Sequence, residues 1–222
     1  MLTRDHQSHS ATIVLLIGAV FCLVTLVARL GAFHLPGNHQ GYAPQQPIAF
    51  SHRLHASELL IDCKYCHHGA PVSRHAGIPA SSVCMNCHSI VTDTFGSVRA
   101  EDELAKEENR KARRMVSAEL QKLYDSLALD EELKPRAGQT PKPIEWIKVH
   151  NLPDFVYFNH STHMNAQVAC QRCHGAVETM ERVSQVEPLS MGWCVNCHRT
   201  VNHIGVAGNP VDASLDCGAC HY

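Results

Sequence analysis

Cysteine, two variable residues, cysteine and histidine recur five times in this chain. The copies are Cys63-Lys64-Tyr65-Cys66-His67, Cys84-Met85-Asn86-Cys87-His88, Cys170-Gln171-Arg172-Cys173-His174, Cys194-Val195-Asn196-Cys197-His198 and Cys217-Gly218-Ala219-Cys220-His221. Two thiols at this spacing can add across the two vinyl groups of a haem, while the next histidine turns its imidazole onto the iron. Each copy therefore reads as one haem c site. Cys63, Cys66, Cys84, Cys87, Cys170, Cys173, Cys194, Cys197, Cys217 and Cys220 are the thioether donors, and His67, His88, His174, His198 and His221 the proximal iron ligands. With 11 Cys and 17 His in 222 residues, shuffling would produce roughly 0.04 such pentapeptides, so composition alone does not account for five.

Other uses of paired thiols fit less well. Zinc closes shells of four thiolates, or of two thiolates and two imidazoles. It would use the pairs two at a time, leave a fifth over, and give no reason for histidine to follow every pair. A redox dithiol occurs once, at a helix start in an α/β pattern, and disulfides do not require the histidine. The five motifs use ten cysteines; Cys22 stands alone in an apolar run.

The cofactors also set the fold class. Aromatic residues make up only 6% of the chain, and no long alternation of strands and helices appears. Five porphyrins supply the missing apolar surface, much as small metallo-domains depend on their metal to fold. The expected fold is mostly α and irregular: an N-terminal transmembrane helix, then a cofactor-packed multihaem cytochrome c domain with little or no sheet. A formal charge of −2, from 19 basic and 21 acidic residues, leaves no basic footprint for nucleic acid.

Ala11 to Ala28 is free of Asp, Glu, Lys and Arg. As a helix it spans about 27 Å and approaches the ~30 Å hydrocarbon core once Leu30 to Phe33 and a snorkelling Arg29 are added. An uncleaved single-pass anchor is expected over residues 1–33, with Cys22 as a buried membrane thiol. Because haem c is attached on the outer side of the bacterial inner membrane, the haem domain is expected on the periplasmic side. Residues 34–47, with three prolines, read as an extended linker. Phe50-Ser51-His52-Arg53-Leu54-His55 and Phe158-Asn159-His160-Ser161-Thr162-His163 then form an internal repeat, the first copy followed by two motifs and the second by two and then a fifth at the terminus. The chain divides into a dihaem module over 48–89, a connector over 90–149 and a trihaem module over 150–222. In the connector, Ser97 followed by Glu101, Asp102 and Glu103 looks like a helix start. Val116, Leu120, Leu123 and Leu127 give it one narrow apolar face, and Pro135, Pro141 and Pro143 end it.

A haem used for electron transfer takes a second axial ligand, so that the iron changes little on reduction. His52 and His55, and His160 and His163, are three residues apart; on a helical turn both imidazoles leave one face and can reach neighbouring haems. These four are the expected distal ligands. Candidates for the fifth are His150, His75, His68, His203, Met180 and Met191, with His150 and His75 ranked first.

Several longer phrases go beyond the motif itself: Ser73-Arg74-His75-Ala76-Gly77-Ile78-Pro79, Cys84-Met85-Asn86-Cys87-His88, Val149-His150-Asn151-Leu152-Pro153-Asp154 and Met191-Gly192-Trp193-Cys194. With the doubled Phe-x-His-x-x-His, they resemble the pentahaem cytochrome subunit of bacterial alternative complex III over roughly residues 48–221. The resemblance implies five covalently bound haems c and a non-catalytic subunit of a membrane quinol oxidoreductase. Such a subunit carries electrons from an iron–sulfur protein and polytopic quinol-binding subunits to a periplasmic acceptor such as a cytochrome c or copper protein. Each half also resembles a small class III multihaem cytochrome, in which the first His of Phe-x-His-x-x-His ligates the first haem and the second His a later one. Carried over, His52 and His160 would serve the haems at Cys63 and Cys170.

Two other functions compete with this one. A multihaem reductase needs an iron with an open distal side and acid–base groups around it, whereas distal candidates here exceed the motifs. A stand-alone membrane quinol dehydrogenase needs a quinol site on the haem protein itself, and residues 33–41 contain no acid to accept a quinol proton.

Overall fold

The computed structural model describes residues 3–32 and 38–221, with side chains over 12–27 in the first stretch. The apolar run forms helix α1, Thr3–Ala32. Among the described residues, however, no helix is long and apolar enough to cross a membrane. The expected N-terminal transmembrane helix is therefore corrected. The inner-membrane localisation and periplasmic orientation that rested on it are corrected as well. Cys22, expected to be a buried membrane thiol, is exposed.

Residues His39–Tyr222 form a second compact unit. Of the linker expected over 34–47, residues 34–37 lie outside the described residues, and the rest is tied down. The Gly41 N–H donates to the Gln185 carbonyl (2.7 Å), and the Gln185 N–H donates to Tyr42 (3.1 Å). Short helices follow in chain order: α2 (Cys63–Cys66), α3 (Ser81–His88), α4 (Phe95–Glu107), α5 (Ala118–Ser126), α6 (His160–Asn165), α7 (Gln171–His174) and α8 (Met191–Ile204). A π-helical turn over Arg53–Glu58 and 3-10 turns over Val177–Thr179 and Cys217–Ala219 complete the set. No strand occurs among the described residues, only isolated bridges such as Val156 with His221, as expected for a mostly α and irregular domain.

The motif helices are short because their ends are fixed locally. Asp62, immediately before Cys63, accepts the Lys64 N–H (2.8 Å). Asp216, before Cys217, accepts the Gly218 N–H (3.1 Å), and Ser190 caps α8 from the Trp193 N–H (3.3 Å). Each satisfies an otherwise orphaned first-turn donor and starts the turn that carries the two thiols.

The connector departs from the single helix expected of it. Thr94, not Ser97, caps α4, accepting the Ser97 N–H (3.2 Å). The helix stops where Asn109 takes a left-handed φ of 50°, a conformation Asn tolerates well at a helix end. Arg110 then turns back onto Glu101. Its Nη2 donates to Oε2 (3.1 Å), and the Arg113 N–H donates to Oε1 (2.8 Å). Glu101, expected as a first-turn acid, is instead 9% exposed in the middle of α4. Helix α5 buries Leu123, as the apolar spacing predicts, and also Tyr124, which the spacing does not single out. The Tyr124 hydroxyl donates to the His88 carbonyl (2.6 Å), which fastens the connector to the end of α3.

Replacing Leu123, 3% exposed, with alanine is expected to lower the unfolding free energy by about 3 kcal/mol, and Tyr124→Phe by about 1 kcal/mol; denaturant titration of the haem-loaded protein reads both. Hydrogen bonds from Arg110, then Arg113, hold the Glu101 carboxyl down at about 2, against 4.5 for a free glutamate. Its stabilising contribution is therefore complete above pH 4.5 and is lost as the pH falls toward 2. Glu101→Gln is expected to flatten this part of the melting-temperature profile, which circular dichroism melts at stepped pH would follow.

Candidate haem-binding row

In both copies of the histidine repeat, the rings are set in the same way. Phe50 meets His52 edge-on (4.9 Å, 83°) and lies nearly parallel to His55 (4.3 Å, 25°). Phe158 does the same with His160 (4.8 Å, 86°) and His163 (4.6 Å, 31°). The second histidine of each copy is tied by its Nδ1 to the carbonyl four residues earlier, His55 to Ser51 and His163 to Asn159, both at 2.8 Å. The shared aromatic, x, His, x, x, His spacing gives this outcome whether the backbone is the π-helical turn of the first copy or α6 of the second.

Most motif histidines are anchored through the same atom. Nδ1 of His67 lies 2.6 Å from the Gly77 carbonyl, that of His88 2.8 Å from Val91, and that of His198 2.6 Å from Ser214. Among the repeat histidines, His160 Nδ1 reaches the Arg74 carbonyl (2.9 Å), which crosses from one module to the other. A carbonyl can only accept, so in each case Nδ1 carries the proton and Nε2 keeps its lone pair for a metal.

Three pairs of imidazoles then face one another. Ring centres are 6.1 Å apart for His55 and His88, 6.3 Å for His160 and His174 (nearly parallel, at 7°), and 6.2 Å for His163 and His198. A metal–imidazole bond of about 2.0 Å, with the ring centre roughly 1 Å further back, puts two imidazoles across one metal about 6 Å apart. His52 is near enough to His67 for the two to repel when charged: burial, then His67 and His55, pushes it down to about 4. Burial, then His150, His160 and His67, pushes His174 down to about 4 as well. Both are neutral at pH 7, as an iron ligand must be.

The motif thiols form a continuous series whose order is not that of the sequence. Behind the larger effect of burial, Cys66 is raised by Cys63 and Cys87, Cys84 by Cys66, Cys170 by Cys63, Cys173 by Cys197 and Cys194, and Cys194 by Cys220. From one end, the motifs beginning at Cys84, Cys63, Cys170, Cys194 and Cys217 are successive neighbours. Burial drives Cys173 up to about 11, the reverse of an activated redox dithiol. Among the described residues, no three His, Cys, Asp or Glu side chains converge as a zinc site requires.

The surroundings fit porphyrins. Buried apolar side chains among the described residues are only Ala70, Ala105, Leu123, Tyr124 and Ala128, and most of these lie in the connector. Beside the motifs, Leu60 is 81% and Ile90 83% exposed, large apolar surfaces that a flat hydrophobic group would cover. The Nδ1 of His52 is buried without a hydrogen-bond partner.

The fifth site differs from the others. The ring against His221 is Phe155, at 5.8 Å and 31°. Of the fifth-ligand candidates, His150 is placed at His174, its Nε2 3.1 Å from His174 Nδ1. His68, His75 and His203 are exposed, Met191 is exposed at the start of α8, and the half-buried Met180 accepts the Arg53 N–H through its carbonyl (3.0 Å). Sequence reasoning missed the carbonyls that hold the imidazoles, and also Gln185, which is fully buried. One available signal was glycine directly after a motif. A side chain at Gly175, whose φ is +70°, would strike Val186 at 2.6 Å, so the chain can turn there only without one.

Comparison with known proteins agrees with this site. The family described as class III cytochrome C matches residues 30–115, and that described as cytochrome c7 and related cytochrome c matches residues 156–222. Together these regions contain all five motifs. A relative from Nitratidesulfovibrio vulgaris strain Hildenborough, named menaquinone reductase, multiheme cytochrome c subunit, is 24% identical over 197 residues, covering 80% of this chain and 77% of the relative. Both ends of the haem domain are thus similar to multihaem cytochrome c families, class III at one and c7-type at the other, and those families imply covalently bound haem c. These matches are broader than the alternative complex III resemblance and do not single out that complex.

Replacing Cys170 and Cys173 together with alanine is expected to lower the haem-to-protein ratio by one in a pyridine haemochrome assay, with the haem peptide containing residues 170–174 missing from the digest.

Proposed function

We propose that this chain is a five-haem electron-transfer subunit of a quinone-linked oxidoreductase complex. It would itself be non-catalytic, relaying electrons between quinone-handling and iron–sulfur partner subunits and a small redox carrier. The observation that carries the reading is the unbroken series of neighbouring motifs combined with facing imidazoles. When bound, haem c supplies a one-electron change between ferric and ferrous iron.

The chain's residues perform the rest. Cysteine pairs fix five attachment points in the order Cys84, Cys63, Cys170, Cys194, Cys217, so each is next to its successor. His67, His88, His174, His198 and His221 would hold the haem irons as proximal ligands, and His52, His55, His160 and His163, set toward His67, His88, His174 and His198 respectively, would be their distal partners. Backbone carbonyls on Nδ1 of His55, His67, His88, His160, His163 and His198 keep those rings oriented, so ligand reorganisation on electron transfer is small. The row ends at the Cys84 motif, fastened by Tyr124, and at the Cys217 motif, which makes these the two contact points for partners.

The phrases shared with the alternative complex III cytochrome, and the name of the Nitratidesulfovibrio relative, both associate such a chain with quinone chemistry. The chain has no cysteines left for iron–sulfur centres beyond Cys22, so partners must supply both the quinone site and those centres. The isolated haem-loaded chain is expected to be reduced by dithionite but not by a menaquinol analogue, whereas the assembly co-purified from gently solubilised cells is reduced by both. Rapid quinol reduction of the isolated chain would favour a stand-alone quinol dehydrogenase. His160→Met is expected to raise the midpoint potential of one haem and leave the others nearly unchanged; potentiometric titration that finds every haem unchanged would remove His160 from the ligand set.

A further inference from the structure

His174 is held differently from the other anchored motif histidines. His67, His88 and His198 each point Nδ1 at a backbone carbonyl. His174 points it at another imidazole, that of His150, across 3.1 Å, with the two rings nearly perpendicular (81°) and their centres 4.3 Å apart. His160 takes a separate position, parallel to His174 at 6.3 Å. The two neighbours of His174 therefore have different geometries: one faces it at the spacing of a ligand pair, and the other meets the edge of its ring at hydrogen-bond distance.

His150 is not left to find this position by itself. The next residue, Asn151, donates its N–H to the side-chain oxygen of Gln185 (3.0 Å), and the Gln185 amide nitrogen donates to the Glu187 carbonyl (3.0 Å). The Gln185 backbone is pinned in turn, its carbonyl accepting from Gly41 (2.7 Å) and its N–H donating to Tyr42 (3.1 Å). A fully buried glutamine with its polar atoms satisfied is a rigid support, and it fixes the segment that delivers His150.

We infer that His150 is not an axial ligand but a positioning residue, accepting a hydrogen bond from the proximal ligand His174 and thereby setting the properties of the haem at Cys170–His174. This rests on the ligand roles proposed above. With Nε2 of His174 on iron, its Nδ1 carries the proton and donates, and His150 Nε2 accepts. An imidazole nitrogen is a stronger acceptor than an amide carbonyl. It draws the proton further from His174 and makes that ligand more electron-donating, which favours ferric iron. The haem in the middle of the row is therefore held at a lower potential than its ligand set alone would give, a barrier between the two ends of the relay.

The test uses the haem-loaded full-length chain with His150→Leu and His150→Gln. Potentiometric titration and electron paramagnetic resonance of His150→Leu should show one haem with a raised midpoint potential and altered g-values, still low-spin, the others unchanged. His150→Gln, whose amide oxygen accepts as the carbonyls do elsewhere, should shift the same haem in the same direction by less, and it serves alone if the leucine variant does not fold. Unchanged potentials and g-values would overturn the inference. So would a new high-spin, carbon monoxide-binding haem, which would make His150 a ligand. Absence of haem from the wild-type 170–174 peptide would overturn the functional reading and this inference together, whereas unchanged spectra with that haem in place would overturn this inference alone.

Discussion

The hydrogen bond from a histidine Nδ1 to a fixed acceptor is the interaction on which the rest of this structure depends. An imidazole on a flexible χ2 can present either nitrogen to a metal. Once Nδ1 is committed to the carbonyl of Gly77, Val91, Ser214, Ser51, Asn159 or Arg74, the tautomer and the ring direction are both set. Some of these acceptors are a single turn away in sequence, while the Arg74 carbonyl comes from the other module. The Arg74 carbonyl thus ties one module to the other, and all six acceptors orient the imidazoles.

The protein has little else to hold it together around the motifs. Its buried apolar side chains gather in and near the connector, where Leu123 and Tyr124 pack, and large apolar residues beside the motifs stay exposed. A chain that buries so little of its own surface near its functional residues depends on the cofactor for the missing burial. The connector is the part with a conventional core, and through the Tyr124 hydroxyl on the His88 carbonyl it passes that rigidity to one end of the row.

Helix α1 shows where a sequence pattern ran ahead of the structure. An uncharged run signals a membrane span only if it is long enough, and among the described residues no helix meets that condition. The similarity to multihaem cytochromes covers residues 30–115 and 156–222, where all five motifs lie, and does not depend on an anchor.

The sequence by itself determined the attachment chemistry, because a covalent motif is local: two thiols and an imidazole on one turn need no distant partner. It also determined the doubled Phe-x-His-x-x-His, whose ring geometry follows from spacing alone and is the same on a π-helical turn and on α6. The tertiary structure decided everything that depends on which segments meet. His55 meets His88 and His163 meets His198 rather than their nearest motifs, and Cys63 lies against Cys170, over a hundred residues away, so the row does not follow chain order. His150, a candidate iron ligand by residue type, was placed on the edge of His174 by a buried glutamine that no motif marks. Residue type says what an imidazole can do; the acceptor that the fold sets against its Nδ1 says which of its two nitrogens is free to do it.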